Sequence, residues 1–446
     1  MKLIIRHTLF GIFVLVFFIA APVIIFYASG YRYNLAKQKI EQTGHLLVTS
    51  KPSGADVKID GKAYDQWWRA LLHLSPSVTP ARIKNLLSGE YTIDLSLDGY
   101  WPWRRKAVVL PQQTTFATDV ALLIKKDPVS VVTVKDLVTY HPLSAQRAAY
   151  ITPHSLVVFD QGGNTSQTLW STTELIQDFK LVTSPVSYLV TTDKAFWLIQ
   201  DGKSPAQLAR RPNISAISEQ QGRLIGLAKT GLVDLNINGK QATEYSVNGT
   251  LIDILLQNTG AYYLVTDGGG SALYRRTLSR NTPAELILKL PVHGLSFLPD
   301  STDRYVVLRG GEGLTVIDVT ARSPHATIVP YAHDLRWIAA DDALVWGDFE
   351  VSRYHFLGDH YDQMLIAREG GLIHGLALFA KLPYTFIVRA GEGISAWELE
   401  VPDNERNVYT VVSGGKDLIT NMQSMIDTKT LWYRRNDTLY QVQVGE

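Results

Sequence analysis

An all-β chain led by one membrane helix is the fold class that three observations predict. Residues 8–31 hold no charged side chain. The next stretch, to about residue 126, breaks into short segments of alternating hydrophobicity. From Asp127 onward a hydrophobic hairpin pattern recurs at intervals of 36 to 45 residues. The 446 residues are 46% hydrophobic and 19% charged, ordinary for a globular chain and too apolar for a disordered one. A net charge of +1 excludes a broad electrostatic footprint for nucleic acid. The absence of cysteine excludes disulfides, thiolate metal sites and thiol catalysis.

Residues 1–33 read as a short tail and a transmembrane anchor. The 24 uncharged positions 8–31 would span about 36 Å as a helix, against the ~20 residues a bilayer core requires. A cleaved signal peptide has a shorter apolar region, and Ala28-Ser29-Gly30 is a poor cleavage site behind bulky Phe26 and Tyr27. Pro22 is tolerable in a membrane span, and Tyr27, Tyr31 and Tyr33 suit an interfacial belt. Lys2 and Arg6 before the span nearly balance Arg32, Lys37 and Lys39 after it, so charge decides little about orientation. The short tail favours an internal amino terminus and an exported bulk. Removing residues 1–39 takes five cations and no acid from 43 basic and 42 acidic side chains, leaving a net of −4. That is no polybasic surface for anionic lipid.

Residues 34–43 form a polar connector. Strands are predicted at 45–50, 55–60, 91–97, 106–110 and 116–123, with turn chemistry at Pro52-Ser53-Gly54 and Asp60-Gly61. Pro52-Ser53-Gly54-Ala55, then Val57, Ile59, Asp60 and Gly61, then Thr79-Pro80, Leu86, Gly89-Glu90-Tyr91, Gly99-Tyr100 and Trp103 stand in the order of a known module. Over residues 44–126 the chain resembles the PEGA family, a small β-sandwich of envelope proteins. Ser53 stands where the family often has Glu. An insert at 64–78, with Trp67-Trp68 and an apolar run, separates the first hairpin from Thr79-Pro80; it is expected as a short helix or an extended loop. The resemblance implies an extracytoplasmic domain that binds envelope components or carbohydrate, and implies no catalysis.

Residues 127–446 carry eight candidate hairpins, beginning at Ala148, Ser187, Arg223, Ala261, Arg304, Ala343, Thr385 and Thr430. A spacing near 40 is the period of a four-stranded propeller blade. An inner strand precedes several hairpins (251–256, 293–297) and an outer strand follows (326–330). A β-propeller of seven or eight blades is predicted, the repeat count favouring eight; stacked sandwiches are the alternative. The last unit lacks an outer strand, and 129–134 is expected to supply it and close the ring.

The sequence carries no familiar catalytic motif. Gly294-Leu295-Ser296 lacks the closing glycine of a nucleophile elbow. There is no P-loop, zinc helix or calcium-loop pattern. The glycine runs 267–270, 310–313 and 391–393 lie between strands and read as hairpin turns. His355 and His360 flank Asp359 and Asp362 in a strand and its turn, which points to no metal. Asp341, Asp342, Asp348 and Glu350 are acids that sequence cannot pair. No metal and no cofactor are expected.

Aromatic residues give the strongest non-structural signal. Trp67, Trp68, Trp101 and Trp103 fall within 37 residues, beside Arg69, Arg104, Arg105 and Lys106. They suit a sandwich core with docking against the propeller, sugar stacking, or a membrane-proximal or protein-partner patch. Leu71, Leu72 and Leu74 favour docking. Trp67, Trp68, Trp101, Trp103, Arg104 and Arg105 are the candidate binding residues. The expected protein is a single-pass, membrane-anchored, extracytoplasmic binding or scaffold protein of the cell envelope. It is non-catalytic and recognises glycan or protein partners. The alternative is a glycan-active enzyme with its site in the propeller channel.

Overall fold

A computed structural model describes residues 3–35, 37–63, 77–183, 186–211, 213–235, 243–278, 282–358, 360–368, 370–379, 382–389, 393–399, 401, 405–415, 417–425 and 427–445. They divide into two units. The first comprises Met1–Lys126 with Glu400–Tyr409 and Val444–Glu446; the second comprises Asp127–Leu399 with Thr410–Gln443.

The first unit opens with helix α1, Leu3–Ala28. Its stretch Thr8–Ala28 has a mean hydropathy of 3.0 and none of it is buried by protein. Gly30, at φ +79°, ends the helix: its N–H bonds the Tyr27 carbonyl at 3.2 Å. Strand β1 (Tyr31–Asn34) then turns back on β2 (Lys39–Lys51), with Tyr31 opposite Gln42 and Asn34 opposite Lys39. Of the polar stretch 34–43, Asn34 and Lys39–Thr43 therefore lie in paired strands.

Strands β3 (Asp56–Ile59), β4 (Lys62–Ala63), β5 (Ala81–Leu87), β6 (Gly89–Ser96), β7 (Trp103–Val109) and β8 (Thr114–Ala121) complete two sheets. One runs β1-β2-β5 with β8 parallel to β2; the other runs β4-β3-β6-β7. Period-two alternation turns Leu46, Val48, Val57, Ile59, Ile93 and Leu95 into one core, closed by Trp103. The landmarks of the module have a physical role here. Buried Thr79 accepts the N–H of Gly54 at 3.1 Å and of Ala55 at 3.0 Å, while Ser50 Oγ lies 2.6 Å from its hydroxyl. Gly54 holds φ +95°, a conformation that costs glycine little. The insert residues 64–76, including Trp67 and Trp68, lie outside the described residues.

The second unit consists, among the described residues, of eight four-stranded antiparallel sheets in simple sequence order. Seven occupy 139–171, 176–210, 214–246, 250–290, 296–330, 334–368 and 373–413. The eighth combines three strands in 419–443 with β9, Val129–Thr133. The recurring hairpins are the second and third strands of each sheet. Second strands such as Arg147–Ile151 and Tyr305–Gly310 are buried on both faces, because neighbouring sheets pack against each of them. The apolar clusters sit between sequential sheets: Ile151 with Phe179 and Val190, Leu198 with Ile217 and Leu224, Tyr305 with Leu335 and Tyr354.

First strands lie side by side, third next to fourth, fourth next to fifth, seventh next to eighth, and eighth next to first. The ring closes where β9 pairs with Thr438–Gln443: Thr133 opposes Thr438, and Leu439 opposes Val132. The expected inner strand at 293–297 is only Ser296–Phe297, cut short before Pro299. The unit is a β-propeller by sheet order and by closure.

Candidate ligand-binding sites

Alternation along β7 decides the fate of the expected aromatic and basic residues. Trp103 points inward, only 2% exposed, and belongs to the core. Trp103 is among the candidate binding residues, and its ring here is packed within the sandwich. Arg105 lies on the same side, its guanidinium 5.0 Å from the Trp103 ring centre. Trp101 stacks on Tyr409, with centroids 5.5 Å apart, and Lys125 approaches its ring at 5.0 Å. Tyr409 also donates to the Pro102 carbonyl at 3.0 Å. Trp101 is therefore a packing residue within its unit, partly exposed at the edge.

Arg104 and Lys106 face outward, and β6 answers both charges. Arg104 pairs with Asp94, and Lys106 lies 2.8 Å from Glu90, which holds the ammonium pKa above its usual value. Arg104, Arg105 and Lys106 line a cleft of about 370 Å³ together with Glu405, Arg406 and Asn407. Asn407 clasps the Arg104 backbone from both sides, at 3.2 and 3.0 Å. This cleft is basic, and it suits an anionic or hydroxylated group at its mouth. Sequence reasoning missed Arg406, Asn407 and Tyr409. They stand some 300 positions away, and nothing local to them signals the meeting.

A second concavity, about 510 Å³, runs along the first strands of the second to fifth sheets and includes Lys180, Asp253 and Gln257. Asp253 accepts the N–H of Ile254 and of Phe297, each at 2.8 Å, tying the fourth sheet to the fifth. Burial pushes its carboxyl pKa up, against those two bonds and the Lys180 charge. Asp178 and Asp334 hold the same place in the second and sixth sheets, each just before a buried Phe179 or Leu335. Burial raises both carboxyls too. Asp178 is exposed, whereas Asp253 and Asp334 are half-buried. Carboxyls raised above their ordinary range are candidates for proton transfer. Their signal in the sequence was an acid ahead of a buried apolar residue in alternate repeats.

The acids named from sequence fall elsewhere. Asp341 accepts from the Tyr305 hydroxyl at 3.0 Å and pairs with Arg304. Asp342 lies 3.0 Å from both Arg353 and His355. Among the described residues no group of three His, Asp or Glu side chains is placed to hold a metal. Asp359 lies outside the described residues.

The family model of the PEGA domain matches residues 43–122. No curated protein matches the chain. Solved structures similar to it include the C-terminal WD40 domain of Sif2, at 12% identity and a TM-score of 0.49, covering 72% of this chain and 99% of that one. The WD40 domain of SCAP from fission yeast is similar at 11% identity and a TM-score of 0.47, covering 72% and 94%. The propeller reading itself stands on sheet order and ring closure. Residues 43–122 thus match the PEGA domain, in a chain that also holds an N-terminal apolar helix and a β-propeller region.

Proposed function

We propose that this protein is anchored in a membrane by its single N-terminal span and works outside the cytoplasm as a binding or scaffold protein of the cell envelope. Its partners are glycan or protein. A PEGA domain joined to a propeller suits a scaffold or binding role. The observation that carries the reading is the helix at Thr8–Ala28, whose apolar side chains are left unburied by protein and suit lipid. Arg104 and Arg105 at the 370 Å³ cleft are contact residues in this reading, and Trp67 and Trp68 remain candidates. Trp101 contributes at most its exposed edge.

Right-side-out and inside-out vesicles carrying the full chain with a C-terminal tag test the orientation. Protease added outside right-side-out vesicles is expected to remove the tag. Protection there, with cleavage in inside-out vesicles, would reverse the topology. In parallel, the detergent-solubilised full chain is expected to be retained on immobilised envelope glycan or on envelope protein extract.

One observation favours an enzyme as the second reading: three carboxyls with raised pKa on alternate inner strands. Asp253→Asn separates the two. A glycan-active enzyme would release new reducing ends from envelope glycan, and the variant would lose about 100-fold or more of that rate. The binding reading expects no reducing ends from the wild-type chain and unchanged retention in the variant.

A further inference from the structure

We propose that a cleft where the fifth sheet meets the sixth is a saccharide site, taking a neutral, hydroxylated ring. This rests on the glycan half of the reading above and assigns it to particular residues. The cleft measures about 500 Å³, within the range of small-ligand pockets. Aromatic side chains dominate it: Tyr331, Trp346, Phe349, Tyr354 and Tyr361. Tyr331 is 87% exposed and Phe349 48% exposed, at the rim. Trp346 is buried at the base.

Tyr331 is unusual in its backbone as well as its exposure. It holds φ +59°, a left-handed conformation that is costly for a bulky residue. The surrounding turns enforce it. Its N–H bonds the Glu312 carbonyl at 3.0 Å. Its own carbonyl packs against Gly347, where a Cβ atom would come within 2.3 Å of that oxygen. A strained, solvent-facing aromatic gives the fold nothing in return through packing. As a stacking platform at the mouth of a cleft it has a use.

The polar groups select the ligand. Asp348 is held at 2.8 Å by His333 Nε2, and Glu350 at 2.6 Å by Arg368. Gln363 bonds Ser352 at 3.2 Å on the cleft wall. No Lys or Arg lines the cleft among the described residues, so nothing there draws an anion. Each carboxylate already has a partner that fixes it, and each keeps lone pairs to accept further hydrogen bonds. Fixed acceptors beside flat rings match a sugar, whose hydroxyls donate and whose ring offers a C–H face. A basic peptide is the competing ligand, and the partnered state of both carboxylates disfavours it.

The test uses the full chain in a detergent without a sugar headgroup. Binding is measured to three neutral probes, the N-acetylglucosamine trimer, cellotriose and maltotriose, and to a Lys-rich peptide. At least one trisaccharide is expected to bind. Tyr331→Ala and Asp348→Asn should each weaken it about tenfold or more, while Tyr331→Phe retains it. Tyr331→Ala should not lower the melting temperature, since the side chain packs little. Wild-type binding of a trisaccharide that both variants share equally would overturn the assignment, as would binding of the peptide alone or of no probe. Retention on envelope glycan separates the two levels. A wild-type chain retained there equally with Tyr331→Ala loses this site and keeps the broader reading. A wild-type chain retained by neither glycan nor envelope protein loses the broader reading itself.

Discussion

A chain that ends at Asp427 is expected to lose the cooperative unfolding of its propeller unit altogether. The cut removes the second and third strands of the eighth sheet, Thr430–Arg435 and Thr438–Gln443. With them goes the strand that pairs with β9, which among the described residues has no other sheet partner. Leu431, Trp432 and Leu439 are fully buried, and Trp432 shares a cluster with Tyr140, Tyr150 and Phe159 of the first sheet. Removing one large core side chain of this kind costs about 3–5 kcal/mol, and several go together here. Typical net stability is only about 5–15 kcal/mol, so the loss exceeds what the unit can bear. The opened ring would also expose two sheet faces and the edge of Ile419–Met425. Calorimetry on the truncated chain checks this. A transition for residues 127–427 at the wild-type temperature would show that closure does not hold the unit together.

Ring closure was legible because it follows from counting. Every repeat has a hairpin, the last lacks an outer strand, and 129–134 is a strand with nothing else to pair. The sandwich was legible through its turn residues, since Gly54 and Pro52 are constrained by backbone geometry and Thr79 by the bonds of its hydroxyl. Other elements escaped for physical reasons. Strand β5 alternates well at Ala81, Arg82, Ile83 and Lys84, but Asn85 at φ +60° breaks the pattern and shortens the visible run. The β1–β2 hairpin carries few apolar side chains, and backbone pairing alone leaves no hydrophobic trace. The candidate sites were the least legible. Trp103 looked like a ligand platform because tryptophan serves cores and surfaces alike, and only the phase of β7 decides which. Arg406 reaches the basic cleft, and Tyr331 meets Gly347, through contacts that chain topology sets and local sequence does not record.

Deleting residues 1–29 is expected to move the protein from the membrane fraction to the soluble fraction without changing its fold. The span Thr8–Ala28 holds fourteen Leu, Ile, Phe and Val side chains, none covered by protein. At about 0.3–0.6 kcal/mol each near the centre of a helix, they favour insertion by roughly 4–8 kcal/mol. The wild-type chain should therefore stay with membranes through high-salt and alkaline washes, with Met1 intact by mass. The position of the cut matters. The Gly30 carbonyl accepts both the N–H and the hydroxyl of Thr43, each at 2.8 Å, and β1 begins one residue later. A deletion through Asn34 removes that strand as well and bares the edge of β2, so its product should melt at a lower temperature than the product cut at residue 29. A membrane-bound chain whose amino terminus lies beyond Ala28 would show that something other than this helix holds it there. A full-length chain with intact Met1 in the soluble fraction would show that the helix finds its cover elsewhere, and the anchor would have to be abandoned.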